Sequence, residues 1–345
     1  MWLRVRVSPA VRGALGCVRG VRYASAVLAL RADPWTPDHG MGFEARLDET
    51  PASADPTVET EDWTRPFSPG EHPQTPVCFV DGVRRIEMRV LADEAGVRAP
   101  GLFGSWAVGS VRCDGQAAFG EHVVGRAVVL GGGMRATRVE IAVGAHLLVY
   151  EPAVTPGSDP DAPLIRLQEQ MREQEAALAS RTAAESGGLV LVDGPLKSLR
   201  DETASPVVGV VKRFTRAYLE PEHDALLALL QPGERTPLFG LAYEGHPLER
   251  YAWYTRLVAS RAMWHDHAGL VRCEVRAGVG LDEARGLADR VSGLLPRFAG
   301  RASDPRYPQN LAPVGGLETW LQHRMGDRRL IRRALMQWLT QEVAA

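Results

Sequence analysis

The order of elements predicts a mixed α/β fold, a sheet covered by helices. Three observations carry it. Residues 77–145 read as a run of strands, a long segment without Gly or Pro follows at 164–184, and two short apolar runs come next, at 189–193 and 207–211, before the chain turns helical.

In chain order, residues 1–32 carry six arginines (Arg4, Arg6, Arg12, Arg19, Arg22, Arg31) and no acid. This pattern resembles a transit peptide. The simpler reading is an over-extended start, with the folded chain beginning near Val27 and residues 1–25 poorly ordered. The stretch 48–76 is rich in Pro, Thr and acids and reads as a long loop or arm. Strand signals then cluster: VCFVDG (77–82) leads into RRIEMRVLA (84–92), followed by 103–113, 122–132 and 137–144.

The segment 164–184 is composed of helix formers, and its apolar stripe falls at Leu164, Leu167, Met171 and Leu178. At 100° per residue these four lie within about 60° of one another. The two apolar runs after this helix read as buried, parallel strands. Helices are expected at 221–231, 248–264 and 281–299, and a strand at 270–276. The tail 316–343 reads as one or two helices broken near Gly326. A meander opening with an acid, then a helix and a strand carrying further acids, suits a ribonuclease-H-like mixed sheet with flanking helices and an added C-terminal helical region.

The bulk numbers narrow the classes. A chain of 345 residues can bury a large core, and 45% apolar with 24% charged residues is ordinary for a globular protein. A formal net charge of −2 excludes a global basic field but leaves room for a local Arg-lined groove. Four dispersed cysteines (Cys17, Cys78, Cys113, Cys273) without CxxC spacing read as reduced thiols of a cytoplasmic protein. No apolar run approaches the roughly 18 residues of a membrane span.

Three acids stand out. Asp81 and Asp193 each close an apolar run and are followed by Gly, which permits a sharp turn or the close approach of a ligand. For Asp81 a D-G hairpin is the structural alternative. For Asp193 it is not, because Pro195 blocks a two-residue hairpin running into a paired strand. On the helix, Glu175 falls at Met171+4 and Leu178−3, inside the apolar stripe, whereas Glu173 points away. A carboxylate on a buried stripe needs either a buried Arg or a cation. Three carboxylates facing one cavity would suit Mg²⁺ or Mn²⁺, and two such ions could clamp the attacking and leaving oxygens of a phosphodiester.

The chain holds forty Lys and Arg, and only Lys197 and Lys212 are lysine. A retained lysine suggests a place where a compact ammonium does not exchange for a planar fork. Lys212, just past VVGVV, is placed to hold a phosphate. Lys197, beyond a proline, reads as a loop residue. His265, Asp266 and His267 read as a polar turn, and LGGGM (130–134), lacking Gly-Lys-Ser/Thr, as a strand-end turn. Tyr251, Trp253, Tyr254 and Trp264 read as core or contact aromatics before base-stacking ones. The run RRLIRRAL (328–335) is either a solvated face or a docking surface. A phosphatase using Asp81 as nucleophile is disfavoured because Val83 stands where a second Asp is needed.

Several pieces together resemble the NurA nuclease family: DPWTPDHGMGFEA (33–45), FVDG (79–82), MREQE (171–175), LVLVDGPL (189–196), VVGVVKR (207–213), LVRCEV (270–275) and RYPQNL (306–311). The resemblance implies a nuclease domain over 33–345, with its core at about 77–276 and a helical part at 277–345. It implies a homodimer, Mn²⁺-dependent DNA cleavage, and partnership with a HerA-like hexameric ATPase in DNA end resection and repair. It implies metal binding by Asp81, Glu175 and Asp193, with Lys212 and Tyr307 lining the site. Many members carry a His a few residues after the Tyr-Pro, where Val314 and Gly315 stand here, and His323 comes later on a helix. That departure supports an alternative expectation, a weak or inactive subunit that docks on the ATPase and guides DNA.

Overall fold

The computed structural model describes residues 28–32, 52–70, 75–196, 199, 206–212, 218–243, 248–261 and 264–344. The expectations for residues 1–25 and 33–45 and for Lys197 lie outside the described residues. Twelve strands among the described residues form one mixed sheet. Its centre is β3 (Val77–Glu94), flanked by antiparallel β4 (Val97–Asp114) and, on its other edge, parallel β8 (Leu189–Asp193). β5 (Gln116–Leu130) continues the meander antiparallel to β4, and β9 (Val207–Val211) runs parallel to β8. Past β9 come β12 (Leu270–Arg276), β11 (Leu248–Arg256), β10 (Phe239–Tyr243) and β2 (Ala52–Asp55). Beyond β5 lie β7 (His146–Val154) and β6 (Val139–Val143), and β1 (Leu28–Ala32) pairs with the far end of β3.

The central strands are apolar on both faces because both faces are covered. Val80, Val190 and Val192 pack against Met171 and Leu178 of helix α1 (Ala162–Ser186). Phe79, Leu191 and Val210 face the opposite way, towards α3 (Leu281–Leu294) and α4 (Ala312–Arg324). α2 (Pro221–Leu229) covers β10 and β11 through Leu226 and Leu227. α5 (Arg328–Ala344) lies over β1, β3 and β6, burying Ile331, Leu335 and Leu339. In RRLIRRAL this leaves Ile331 and Leu335 inward and Arg329 and Arg333 exposed. No helix among the described residues is long and apolar enough to cross a membrane.

Two segments differ from expectation. Residues 248–256 form a strand, not the start of a helix. Tyr251 and Trp253 pack towards α3, Ala252 and Tyr254 towards α2, so both faces are apolar and the period-2 signal disappears. These aromatics are core, as read, with Trp253 donating to Ser292 Oγ at 3.1 Å. The arm 48–76 contains β2, which pairs with β10. The arm is also tied down by Glu59, which takes the buried Arg235 fork at 2.9 and 3.1 Å. The helices at 162–186 and 281–294 and the break near Gly326 match the sequence reading.

Long-range ties fix α4. The two carbonyls just past its C-terminal end accept from two sheet arginines: Arg85 to Gly326 O (3.0 Å) and Met325 O (3.2 Å), and Arg126 to Met325 O (2.9 Å). Cations at a helix C-terminus also complement its dipole. Arg85 is held in turn by Glu87 at 3.0 Å, a buried carboxylate that also accepts from Ser105 Oγ (2.6 Å) and the Tyr150 hydroxyl.

Candidate metal centre

Asp81 does not end a strand: β3 runs through it unbroken, with Asp81 opposite Gly109 and Gly82 opposite Val108. The D-G pair therefore forms no hairpin. The parallel register Val80↔Val192 brings Asp81 beside Asp193, which does end β8. Side-chain alternation puts both on the face of Phe79 and Leu191, beneath α4.

Gly82 faces α1. A Cβ there would lie 2.6 Å from Glu175 Oε1 and 3.0 Å from Met171 Cγ and Val108 Cγ1. The glycine thus lets α1 approach closely enough to bury Glu175, which is 2% exposed. Gly82→Ala is expected to cost about 1–3 kcal/mol by overpacking this contact. Chemical denaturation checks this, and an unchanged midpoint would mean that α1 yields freely.

Glu175 is buried as its stripe position predicts, while Glu173 is exposed and pairs with Arg166. Arg172 Nη1 donates to Glu175 Oε2 at 2.9 Å and to the Asp193 carbonyl at 2.8 Å. Burial raises the Glu175 pKa, and Arg172 opposes the rise. Gly194 has φ +116°, and a Cβ there would meet Arg172 Nη1 at 2.9 Å. Glycine is needed for both the backbone conformation and the guanidinium's place.

Lys212 Nζ donates to Asp193 Oδ2 at 2.8 Å and lies 3.4 Å from Asn310 Oδ1. Asn310 Nδ2 donates to Asp304 Oδ2 at 2.6 Å. Asp81 is 5% exposed, and its Oδ2 has no hydrogen-bond partner. Burial first, then the charges of Asp193 and Glu175, push its pKa well above the usual carboxylate range, with Lys212 opposing.

An acid not anticipated, and not Glu175, groups with the two aspartates. Glu318 of α4 places a carboxylate oxygen so that single oxygens of Asp81, Asp193 and Glu318 all lie within 4.8 Å of one another. Arg306 grips Glu318 with both arms of its fork, at 2.7 and 2.6 Å. The signal was in the sequence: Glu318 falls at Val314+4 and Leu321−3, inside the buried stripe of α4, as Glu175 does in α1. Arg172, Arg306 and Asn310 carry no such local mark.

The remaining expected residues sort plainly. The Tyr307 ring packs edge-on against Trp264 at 5.5 Å, with the Arg261 guanidinium over both rings at 5.9 and 4.7 Å. Val314 is core. A Cβ on Gly315 would lie 3.0 Å from Asn310 Nδ2 and 3.2 Å from Arg306 Nη2. His323 is exposed. His265 and His267 sit in the turn before β12, with His267 3.6 Å from Asp224.

The residues present suit a hard divalent cation: oxygen donors only, gathered within one ion's reach, and one of the carboxylates, Asp81, has a buried oxygen without a partner. A mixed α/β sheet with carboxylates converging at the end of an inner strand defines a protein with an acidic centre able to take such an ion. The NurA domain family matches residues 125–314, more than half of the 345-residue chain, and the chain belongs to that family. A crystal structure of the NurA nuclease from Sulfolobus solfataricus is similar at 14% identity and TM-score 0.46, over 80% of this chain and 88% of that one. Among curated proteins none is significantly similar in sequence.

Proposed function

We propose that this chain is a metal-dependent DNA nuclease that hydrolyses phosphodiesters during DNA end resection and repair. Its substrates are single-stranded and duplex ends, its ion is Mn²⁺ or Mg²⁺, and it works in the cytoplasm as a homodimer with a HerA-like hexameric ATPase. The observation that carries the metal-dependent reading is the convergence of Asp81, Asp193 and Glu318 oxygens within 4.8 Å of one another, with Asp81 Oδ2 buried and lacking a partner. Family membership supports the choice of a nuclease. The strand order β5–β4–β3–β8–β9, antiparallel up to β3 and parallel after it, supports a ribonuclease-H-like core.

In this reading Asp81, Asp193 and Glu318 hold the ion. Glu175, whose Oε1 has no hydrogen-bond partner, completes the acidic set from the α1 side. A bound divalent ion supplies Lewis acidity and neutralises charge that develops on the phosphate oxygens. Lys212 stabilises that charge from the rim of β9, and Asn310 fixes the direction of its ammonium. Arg172 holds Glu175 and the Asp193 backbone in one geometry. Tyr307 lines the path of the substrate strand.

The test is cleavage of linear single- and double-stranded DNA with Mn²⁺, with and without EDTA. Cleavage that EDTA abolishes is expected. Gly315, standing near the family's His position, motivates the second reading, a docking subunit of the same fold. Calorimetry separates the two: no Mn²⁺ binding together with tight binding to the ATPase favours docking alone.

A further inference from the structure

Two carboxylates of the cluster and the neighbouring Glu175 each have their own cation: Glu175 has Arg172, Asp193 has Lys212 and Glu318 has Arg306. The three cations are not equally fixed. Arg172 is pinned to a backbone carbonyl behind the site, and Lys212 is also held by Asn310. The Arg306 side chain is 48% exposed; the hydrogen bonds of its fork go to Glu318, and its second acidic neighbour, Asp304, stands 3.9 Å from Nε. The fork occupies both oxygens of the one carboxylate that α4 supplies, so an ion shared by Asp81, Asp193 and Glu318 must share Glu318 with it or displace it. Two added positive charges within a few ångströms repel a guanidinium, and the fork geometry that fits a carboxylate also fits a phosphate. Glycine at 315 leaves room for the guanidinium beside α4; a Cβ there would lie 3.2 Å from Arg306 Nη2.

We propose that Arg306 is a phosphate ligand held in reserve: it occupies Glu318 until the metal enters, and is then released to bind a phosphate of the nucleic-acid strand beside the ion. Metal and phosphate then bind cooperatively, each raising the affinity of the other by the same factor. The proposal rests on the nuclease reading of the site and adds to it a phosphate contact on the metal's rim.

The experiment uses the full chain and two probes: Mn²⁺ alone, followed by calorimetry, and fluorescent oligothymidylate with Ca²⁺ or EDTA, followed by anisotropy. Arg306→Gln is expected to bind Mn²⁺ about fivefold more tightly or better, and oligothymidylate in Ca²⁺ about fivefold more weakly or worse. The two shifts have opposite signs, which a residue that merely positions Glu318 cannot produce. Glu318→Gln is expected to weaken Mn²⁺ binding and to strengthen oligothymidylate binding in EDTA, because the fork is already free. If Arg306→Gln weakens Mn²⁺ binding or leaves both affinities unchanged, the proposal is overturned while the metal site stands. If the parent chain binds no Mn²⁺, the metal reading and this proposal fall together.

Discussion

Asp81→Asn is expected to lower Mn²⁺-dependent cleavage of linear DNA by about 10²- to 10³-fold or more, while the metal-free protein becomes more stable. The first effect follows because Asn keeps the shape but loses the charge that holds a cation among three other acids. The second follows because this carboxylate is buried, lacks a partner on Oδ2 and is repelled by Asp193 and Glu175. Its pKa is raised in the folded chain, so its ionisation opposes folding at neutral pH. That cost is absent below the unfolded carboxylate pKa, grows as pH rises from the unfolded to the folded value, and is constant above it. The stability advantage of Asp81→Asn should therefore shrink as pH falls. Thermal denaturation in EDTA across pH, beside a cleavage assay, measures both. Cleavage at the parental rate would remove Asp81 from the chemistry.

Arg172→Met is expected to carry the largest stability loss, about 3 kcal/mol or more. It strips the cation from Glu175 and leaves that carboxylate buried between α1 and Gly82. It also removes a donor from the Asp193 carbonyl at the end of β8. Arg172→Met combined with Glu175→Leu should recover most of the stability, because no unpaired charge remains, and none of the cleavage. Denaturant midpoints of the two single variants and the pair measure the coupling. Equal stability of Arg172→Met and the parent would mean that Glu175 takes up a proton without cost.

Much of this site was legible locally. The 3.6-residue stripe of α1 separated Glu175 from Glu173 without any tertiary knowledge, and the same rule applied to α4 picks out Glu318. Asp193 was legible because a five-residue apolar strand with Gly-Pro after it has to end there. For Asp81 the strand-end reason fails: the strand continues for thirteen more residues to Glu94, and the glycine serves the approach of α1 instead of a turn. β11 was misread because a strand buried on both faces loses the alternation that marks strands.

By itself, then, the sequence determined the mixed α/β class, the order of its central elements, the inward glutamate of α1 and the two aspartates, because each is written in a short-range period or a turn signal. Only the tertiary structure decided that Glu318 meets Asp81 across more than two hundred residues of chain, that Arg306 and Arg172 stand guard over separate carboxylates, and that Tyr307 lies against Trp264. Those meetings depend on strand register and on where α4 is tied by Arg85 and Arg126. Such contacts link distant elements, and no local pattern encodes which two will touch.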